Sequence, residues 1–261
     1  MEILKKIFGE KSLQKIARKT GYVQDQMGIL NRFVRENNQW KSHLDNTKQY
    51  IIESARLSKK KKSVAVLGSG WLLDVPIEVL TKEFSNVYLL DIVHPEQVSV
   101  NMKKYPNVHL VQCDITGGAV ALAEKSKSFA EFENQLNELK IAVDLNQYDM
   151  VVSVNLLNQL DIILCDYLKQ KFSVSDEQLV AIRTVIQNQH LGFLPLGKTC
   201  LITDYLEENT PIDGKNSTKK QLLYCSIPEN ETAKEWTWNF DTNQKYHKGC
   251  ITAMQVKAVR F

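Results

Sequence analysis

The chain has 261 residues, of which 43% are hydrophobic and 24% are charged, which is close to the globular average and enough to bury a sizeable core. Its 33 Lys and Arg against 30 Asp and Glu give a net charge of +3, a balance that neither demands nor excludes an anionic partner. No long apolar segment is present, so we expect neither a membrane span nor a secretory signal, and the length suits one large α/β domain with or without an extension.

The first 60 residues have the periodicity of helices. Apolar side chains recur at helical spacing in positions 3–17, again in 27–34, and in a third helix predicted over residues 39–57. Gly9 and Gly21 interrupt or cap these helices. The segment therefore predicts a helical region that precedes the first strand.

Trp40 and His43 lie three residues apart in the third predicted helix and therefore share a face. One interpretation places both in the roof of an active site, where Trp40 stacks on a substrate and His43 positions the substrate or accepts its proton. The other makes Trp40 a core residue and His43 a histidine that is satisfied locally or exposed. Both interpretations stay open here, with Trp40 as a predicted substrate contact and His43 as a candidate catalytic residue.

Four consecutive lysines, residues 59–62, follow the helices. Such a cluster is able to contact the phosphates of RNA or anionic lipid. It equally suits a solvated linker before a buried strand, which is the commoner outcome. No aromatic ladder or second basic stripe accompanies the run, so we favour the linker and treat nucleic acid as a weaker alternative partner.

The most informative segment is VAVLGSGW at residues 64–71, an apolar run that ends in Gly-x-Gly. The apolar part predicts a buried parallel strand. Gly68 and Gly70 predict a tight turn at which a ligand approaches bare backbone. A second strand, residues 86–90, ends on Asp91, about 20 residues beyond the glycines, where a carboxylate accepts hydrogen bonds from a ribose diol. Strand, glycine turn, helix, strand and acid together describe a nucleoside-binding unit.

The residues after the turn limit which nucleoside fits. A dinucleotide fingerprint would place a third glycine where Leu73 stands, and Asp74 puts a negative charge beside the predicted helix start. A diphosphate would be repelled there. No Gly-Lys-Ser/Thr follows the turn, so a phosphate-binding P-loop is also excluded. The site therefore suits a nucleoside that carries no phosphate.

Over most of the chain this arrangement resembles the class I S-adenosylmethionine-dependent methyltransferases. Residues 107–115 and 148–155 resemble the third and fourth strands of that family, which end near Asp114 and Asn155. The resemblance implies S-adenosylmethionine as cofactor, with the glycine turn against its methionine part, Asp91 on the ribose and Asp114 facing the adenine amino group. Asn155 would point to the cofactor from the fourth strand. The implied cofactor-binding residues are Gly68, Ser69, Gly70, Asp91, Asp114 and Asn155.

The implied fold is a doubly wound, mostly parallel, seven-stranded α/β sheet of the Rossmann-like methyltransferase type, with an N-terminal helical extension. We expect a helical cover at residues 1–58 and the methyltransferase domain at 59–261. The last two strands would form a hairpin that matches the reversed seventh strand of the family. The later elements are predicted as helices at 156–172 and 176–191, strands at 198–204, 221–227, 235–240 and 250–261, and a loop at 207–218.

Two positions depart from the family pattern. Leu72 stands where a third glycine is common, and Val66 stands where an acid is usual, two residues before Gly68. These departures motivate an alternative function, a nucleoside-binding module of the same fold that has lost catalysis and acts as an interaction partner.

Residues that face the substrate are expected after the fourth strand. Asn158 binds substrate or caps the next helix, and Gln159 is a second candidate catalytic residue. Some amine methyltransferases carry Asn-Pro-Pro-Tyr at this place, but Asn155 does not begin that motif, so N-methylation is not inferred from it. Trp236 and Trp238 share a strand face and either line a pocket or, as we prefer, pack against a helix that covers the sheet.

Methyl transfer needs little acid–base chemistry, because a sulfonium is already a good leaving group and the protein mainly aligns the acceptor and excludes water. The sequence thus predicts a methyltransferase for an unidentified small-molecule acceptor, with no metal. An RNA- or protein-modifying enzyme of the same fold is an alternative. The five cysteines are scattered and have no zinc spacing, which predicts buried free thiols and a cytoplasmic location.

Overall fold

The computed structural model describes residues 10–261, with side-chain surroundings from residue 13 onward. Part of the first predicted helical segment lies outside the described residues, namely Ile3, Leu4, Ile7, Phe8 and Gly9. Two helices open the described part of the chain, and the others alternate with strands. Their bounds are α1 Glu10–Lys19, α2 Tyr22–Leu57, α3 Ile77–Glu83, α4 Glu96–Met102, α5 Ala119–Lys125, α6 Phe129–Leu136, α7 Ile162–Lys171 and α8 Asp176–Phe193.

Within these residues the strands form one sheet of eight, in the order β3-β2-β1-β4-β5-β8-β7, with β6 paired to an extension of β5. The pairs from β3 through β5 are parallel, whereas β8 runs antiparallel to both β5 and β7. The predicted doubly wound, mostly parallel α/β sheet with a reversed last strand is confirmed, and β6 is an addition to it. The strands are β1 Ser63–Leu67, β2 Asn86–Asp91, β3 Val108–Gln112, β4 Met150–Val154, β5 Thr199–Pro211, β6 Thr218–Gln221, β7 Lys234–Asp241 and β8 Cys250–Arg260.

Helices cover both faces of the sheet, as its near-continuous apolar strands require. Successive side chains of a strand point to opposite faces. Val64 and Val66 therefore pack with α2, α3 and α4, whereas Ala65 and Leu67 pack with α5, α6, α7 and α8. All four side chains are fully buried, and the carboxyl ends of β1 and its neighbours are held between two apolar layers.

The N-terminal helices differ from the prediction in one respect. The segments predicted separately at 27–34 and 39–57 belong to a single helix, α2, of 36 residues. The polar, exposed residues 37–39 interrupt the apolar stripe but contain no Gly or Pro that would break the backbone. Gly21 does cap a helix, since it precedes α2 with a φ of 97°.

The late strands also differ from the prediction. The loop expected at 207–218 is wrong in its first part, because β5 continues to Pro211 and pairs there with β8 and β6. The strand expected at 221–227 is wrong beyond Gln221, where β6 ends. Every residue of β6 is exposed, so this hairpin has no apolar alternation from which a strand could be recognised.

Contacts with β7 and the β7–β8 turn hold α2 against the sheet. The Trp40 indole donates a hydrogen bond to the Phe240 carbonyl at 2.9 Å. The buried Glu36 carboxylate accepts hydrogen bonds from Thr242, through both its N–H and its hydroxyl, and from Asn243 Nδ2 at 2.7 Å. Burial acts to raise the pKa of Glu36, but these hydrogen bonds outweigh it and lower the pKa to about 2. The ionised side chain thus ties the helix to the turn.

The cysteines are unpaired, and three of them match the prediction of buried free thiols. Cys113, Cys165 and Cys200 are buried, whereas Cys225 and Cys250 are half-buried. Between residues 10 and 261, no helix combines the length and the hydropathy that a membrane crossing needs. The same stretch contains no group of three or more His, Cys, Asp or Glu positioned to hold a metal ion.

The packing of α2 on the sheet leads to a stability prediction. Ile51 is 0% exposed and belongs to the core shared by α2 and the sheet. The substitution Ile51→Ala should lower the free energy of unfolding by about 2–5 kcal/mol, because it removes buried methyl groups and leaves a cavity. Val34→Ala is the control on the same helix, since Val34 is 69% exposed and should change stability by less than about 0.5 kcal/mol. Urea unfolding measures both, and equal losses would contradict the packing described.

Candidate functional site

A cavity of about 390 Å³ lies at the carboxyl ends of β1, β4 and β5, beneath α2. In an open α/β sheet, this edge is where ligands bind. Eight of the residues predicted for the site line the cavity: Trp40, His43, Gly68, Ser69, Gly70, Asn155, Asn158 and Gln159. The structure therefore brings the predicted roof, the glycine turn and the end of β4 together around one space.

The glycine turn has the backbone that the sequence predicts. Gly68 has a φ of 71°, and a Cβ built there would lie 2.9 Å from Cδ1 of Leu156, so only glycine fits. The Gly68 N–H donates to the Leu90 carbonyl at 3.0 Å, which fastens the turn to β2. Leu72, which stands where the third glycine is common, has a φ of 59°. The loop keeps the left-handed conformation without the glycine, at a cost of about 1–2 kcal/mol.

Asp91 lies outside the lining of this cavity, and its proposed contact with a ribose stays a prediction. Its Oδ2 accepts a hydrogen bond from the Gly70 N–H at 2.8 Å, and its Oδ1 lies 3.5 Å from Gln26 Nε2. Gln26 Nε2 also donates a hydrogen bond of 2.9 Å to the Val93 carbonyl, which holds the side chain there. The backbone carbonyl of Gln26 accepts from the Trp71 indole at 2.7 Å. The first turns of α2 thus cover this part of the cleft.

Asp114 follows β3 and also lies outside the cavity lining, close to the covered part of the cleft. Its Oδ1 accepts hydrogen bonds from the N–H and the hydroxyl of Thr116, whereas its buried Oδ2 has no partner. The buried Tyr22 hydroxyl of α2 is also without a partner. Burial raises the pKa of this tyrosine well above its usual range, and the Asp114 charge adds to the shift. Two unsatisfied polar groups therefore remain on the side where the adenine was expected.

Asn155 links the floor of the cavity to its roof. It follows β4 with a φ of 46°, and its Nδ2 lies 2.6 Å from Asp74 Oδ2 and 3.2 Å from His43 Nε2. Burial raises the pKa of Asp74, which the Asn155 hydrogen bond opposes. Asp74, Asn155 and His43 thus form a connected group of three side chains. Asp74 comes from the loop after β1, Asn155 follows β4, and His43 comes from α2.

His43 is a buried, neutral histidine. It is 1% exposed, its ring stacks on Trp238 at 4.0 Å and 7°, and its Nδ1 accepts a hydrogen bond from the Trp236 indole at 3.1 Å. Burial lowers its pKa to about 3, so the imidazole carries no charge at neutral pH. Because Nδ1 accepts, the ring proton lies on Nε2, facing Asn155.

The position of that proton has a consequence for Asn155 and Asp74. The Nε2–H of His43 finds an acceptor only if the Asn155 amide turns its oxygen toward the ring. The two orientations of the amide group exchange its O and N. With the oxygen toward the ring, that oxygen would also face Asp74 Oδ2, and only a protonated Asp74 could donate to it. In the other orientation Nδ2 donates to the Asp74 carboxylate at 2.6 Å.

Trp236 and Trp238 pack against α2, as preferred in the sequence interpretation, and Trp238 lines the cavity as well. The Trp40 and Trp238 rings meet edge to face at 4.7 Å, and Phe240 and Tyr246 extend the same aromatic wall. Trp40 is thus both a core residue, 2% exposed, and part of the cavity lining. The two interpretations of Trp40 are compatible in this structure.

Sequence reasoning missed a buried acid on the far wall. Asn158 donates from Nδ2 to Asp204 Oδ2 at 2.9 Å, both residues line the cavity, and each leaves its Oδ1 without a partner. Burial raises the pKa of Asp204 to about 6, and the Glu207 charge adds to the shift. Asp204 lies just past the last residue of β5 that pairs with β4, Ile202. The expectation that ligands bind at the carboxyl ends of the strands, which pointed to Asn155 after β4, therefore points to Asp204 on β5 as well.

Asn158 reaches this position because the predicted helix at 156–172 starts later than expected. α7 begins at Ile162, and residues 156–161 form turns before it. Asn158 makes no capping bond there, so the helix-cap interpretation of Asn158 is not needed. Gln159, in the same turns, lines the cavity as a half-buried residue.

Comparison with known proteins gives fold-level similarity only. No family model matches the chain, and no curated protein matches its sequence. The DhpI–SAH complex has 13% identity over 90% of this chain and 94% of its own, with a TM-score of 0.37. An amino pentose methyltransferase from Micromonospora echinaspora has 12% identity over 85% and 77%, with a TM-score of 0.32. A 1,6-didemethyltoxoflavin-N1-methyltransferase from Burkholderia thailandensis has 10% identity over 91% and 90%, with a TM-score of 0.33. At these TM-scores the activities of those proteins are not transferred to this chain.

The turn geometry makes a prediction for Gly68. Gly68→Ala should lose about 1–2 kcal/mol of stability to the positive φ and about 1–3 kcal/mol more to the clash with Leu156. Gly197→Ala is the matched control, because Gly197 has a φ of 79° with open space around its Cβ position. Urea unfolding should therefore show a larger loss at Gly68, and an equal loss at both sites would refute the close approach of Leu156.

The buried His43 makes a prediction about pH. Its folded pKa of about 3 lies below the usual 6.5, so between these values the unfolded chain binds the proton and the folded chain does not, and stability is lost as pH falls. His43→Gln should make the fall in unfolding free energy shallower by up to about 1.4 kcal/mol per pH unit in that window. The half-buried His109 of β3 supplies the control, His109→Gln. Identical slopes in wild type and His43→Gln would show that His43 is not buried in its neutral form.

Proposed function

We propose that this protein is an S-adenosylmethionine-dependent methyltransferase. The observation that supports it best is the placement of three features at the carboxyl ends of three adjacent parallel strands. These are the glycine turn after β1, Asp91 at the end of β2, and Asp114 after β3 with an unpartnered Oδ2. This order matches the methionine, ribose and adenine parts of the cofactor in the resemblance described above.

The chemistry of the residues fits this cofactor. Ser69 Oγ in the turn and Asp114 Oδ2 are both buried polar atoms without partners, and buried polar groups are nearly always satisfied in native proteins. The adenine amino group would satisfy Asp114, and the methionine part would satisfy Ser69. The turn from Gly68 to Asp74 holds no Lys or Arg, so a diphosphate would meet no positive charge there.

Cofactor binding requires a small rearrangement at the covered part of the cleft. For a ribose to reach Asp91, the Gln26 side chain has to leave its position 3.5 Å from Asp91 Oδ1. Its departure breaks this long contact and also the 2.9 Å hydrogen bond from Gln26 Nε2 to the Val93 carbonyl. The Gly70 N–H occupies Oδ2 of Asp91. Oδ1 has only the Val93 N–H, at 3.5 Å, besides Gln26, so it retains the capacity to accept from a ribose hydroxyl.

The cofactor supplies a methyl group on a positively charged sulfur, and the protein's part is binding, orientation and exclusion of water. The α2 roof, with Trp40 and Trp238, would exclude water. We propose His43 as a positioning residue and not as a base, because both of its ring nitrogens are engaged and its pKa of about 3 is too low. Asn155 and Gln159 would face the reacting groups from the floor.

We propose a small molecule as the acceptor, because the cavity is a roofed space of about 390 Å³. The lysines at 59–62 do not serve this space, since they precede β1 and so lie at the amino end of the strand, whereas the cavity is at the carboxyl end. Lys61, for example, pairs with Glu83 at 3.3 Å. The interpretation as an RNA-modifying enzyme is therefore less well supported. The five unpaired cysteines support a reducing cytoplasm as the compartment.

Calorimetric titration tests the proposal. S-adenosylmethionine and S-adenosylhomocysteine should bind, and NAD should not. Asp91→Ala should weaken binding by about 1–3 kcal/mol, because a charged hydrogen-bond acceptor is lost. Asp213→Ala, in the exposed β5–β6 loop, is the control and should bind as wild type does.

Two results would contradict this assignment. If NAD binds in preference to S-adenosylmethionine, the cofactor assignment is wrong. If Asp91→Ala leaves the affinity for S-adenosylmethionine unchanged, the proposed role of Asp91 is wrong. Tight binding of S-adenosylmethionine without transfer to any acceptor would instead favour the non-catalytic nucleoside-binding module.

A further inference from the structure

The far wall of the cavity carries two buried oxygen atoms that accept hydrogen bonds and have no donor. They are Oδ1 of Asp204 and Oδ1 of Asn158. The two residues are 3% and 5% exposed, respectively. The other oxygen of Asp204 already accepts from Asn158 Nδ2 at 2.9 Å. Both residues line the cavity, so the unsatisfied pair belongs to its wall.

The basic side chains of the lining do not reach these oxygens. Arg183 pairs with Asp161, and Arg32 lies over the Phe240 ring at 4.5 Å. Lys220 lies on the exposed strand β6. A buried carboxylate without a positively charged partner is costly, so Asp204 lacks the partner that a buried acid ordinarily has.

The acids near Asp204 reinforce its negative potential. The charge of Glu207, on the same strand, raises the pKa of Asp204 beyond the effect of burial. Glu207 Oε1 itself accepts hydrogen bonds from Asn209 Nδ2 at 2.6 Å and from His247 Nε2 at 2.9 Å. An anionic ligand group would therefore be repelled from this end of the cavity. A group that brings several N–H donors and a positive charge would satisfy both oxygens at once.

The surfaces next to this pair are aromatic. Trp238, Phe240 and Tyr246 all line the same cavity, with Trp238 and Phe240 packed edge to face at 4.8 Å. Because His43 already stacks on Trp238 and Arg32 lies over Phe240, an apolar, flat body would contact the remaining faces and edges of these rings. The cavity thus joins an aromatic surface to a buried, unpaired acid.

We propose that Asp204 and Asn158 bind the ammonium group of an arylalkylamine, which is the acceptor class of this site. The inference rests on the methyltransferase function proposed above and adds its substrate class. The ammonium donates to Oδ1 of both residues while the ring lies against Trp238 and Phe240. Asp204 then takes one ammonium proton, in which an N–H bond breaks, an O–H bond forms, and the nitrogen keeps the electron pair it needs as a nucleophile.

Equilibrium binding of three probes to the full chain tests this proposal without any methyl transfer. The probes are 2-phenylethylamine, its neutral analogue 2-phenylethanol, and the anionic phenylacetate, each titrated with and without saturating S-adenosylhomocysteine. The amine should bind at least ten times more tightly than either analogue. Equal affinity for the alcohol, tighter binding of phenylacetate, or no binding of any probe would overturn the proposal, and this comparison depends on no variant.

Asp204→Asn then assigns the selectivity to one residue, because it keeps the side-chain shape and removes the charge. It should lower the affinity for the amine at least tenfold and leave the affinity for the alcohol unchanged. Glu208→Gln is the matched control on β5, since Glu208 is half-buried and pairs with Lys219 at 3.7 Å, and it should bind the amine as wild type does. Unchanged amine affinity in Asp204→Asn would overturn the role of Asp204.

The two proposals fail separately in this design. If S-adenosylmethionine binds and the amine is not preferred, the substrate class is wrong and the methyltransferase function stands. If the amine is preferred but S-adenosylmethionine does not bind, the cavity recognises amines and the methyltransferase function is wrong.

Discussion

The site depends on the contact between α2 and β7. The ionised Glu36 carboxylate accepts hydrogen bonds from the β7–β8 turn. About one helical turn later Trp40 donates to the backbone of β7, and about one turn after that His43 accepts from Trp236. These contacts recur along one face of the helix, which lays it across the ends of the strands. Without them the space above the glycine turn would be an open groove, in which water would compete for every polar contact.

The same helix divides the cleft into two unequal halves. Its later turns roof the cavity beside Asn155, whereas its first turns, through Tyr22 and Gln26, cover Asp91 and Asp114. Burial raises the pKa of Asp91 and of Asp114 because α2 excludes water from them. A nucleoside that enters this half would replace the contact of Gln26 with Asp91 by its own hydrogen bonds.

The sequence allowed the fold and much of the site to be predicted, because these follow from local patterns. An apolar run that ends in Gly-x-Gly predicts β1 and the turn, and the rule on strand ends predicts the position of Asn155. The cover over Asp91 could not be predicted, since Gln26 reaches it across 65 positions of sequence. Asp204 was missed for a different reason, because the rule on strand ends was applied to the first four strands and not to the strand predicted at 198–204, which ends on this residue.

The protonation states around the cavity determine which ligand charge it accepts. Burial keeps His43 neutral and also raises the pKa of Asp74. Asp204, with a pKa of about 6, remains ionised at neutral pH, and its one free oxygen is the nearest uncompensated charge on the far wall. At this end of the cavity the unpaired Asp204 carboxylate, with Glu207 beside it, is complementary to a positive charge and repels a negative one.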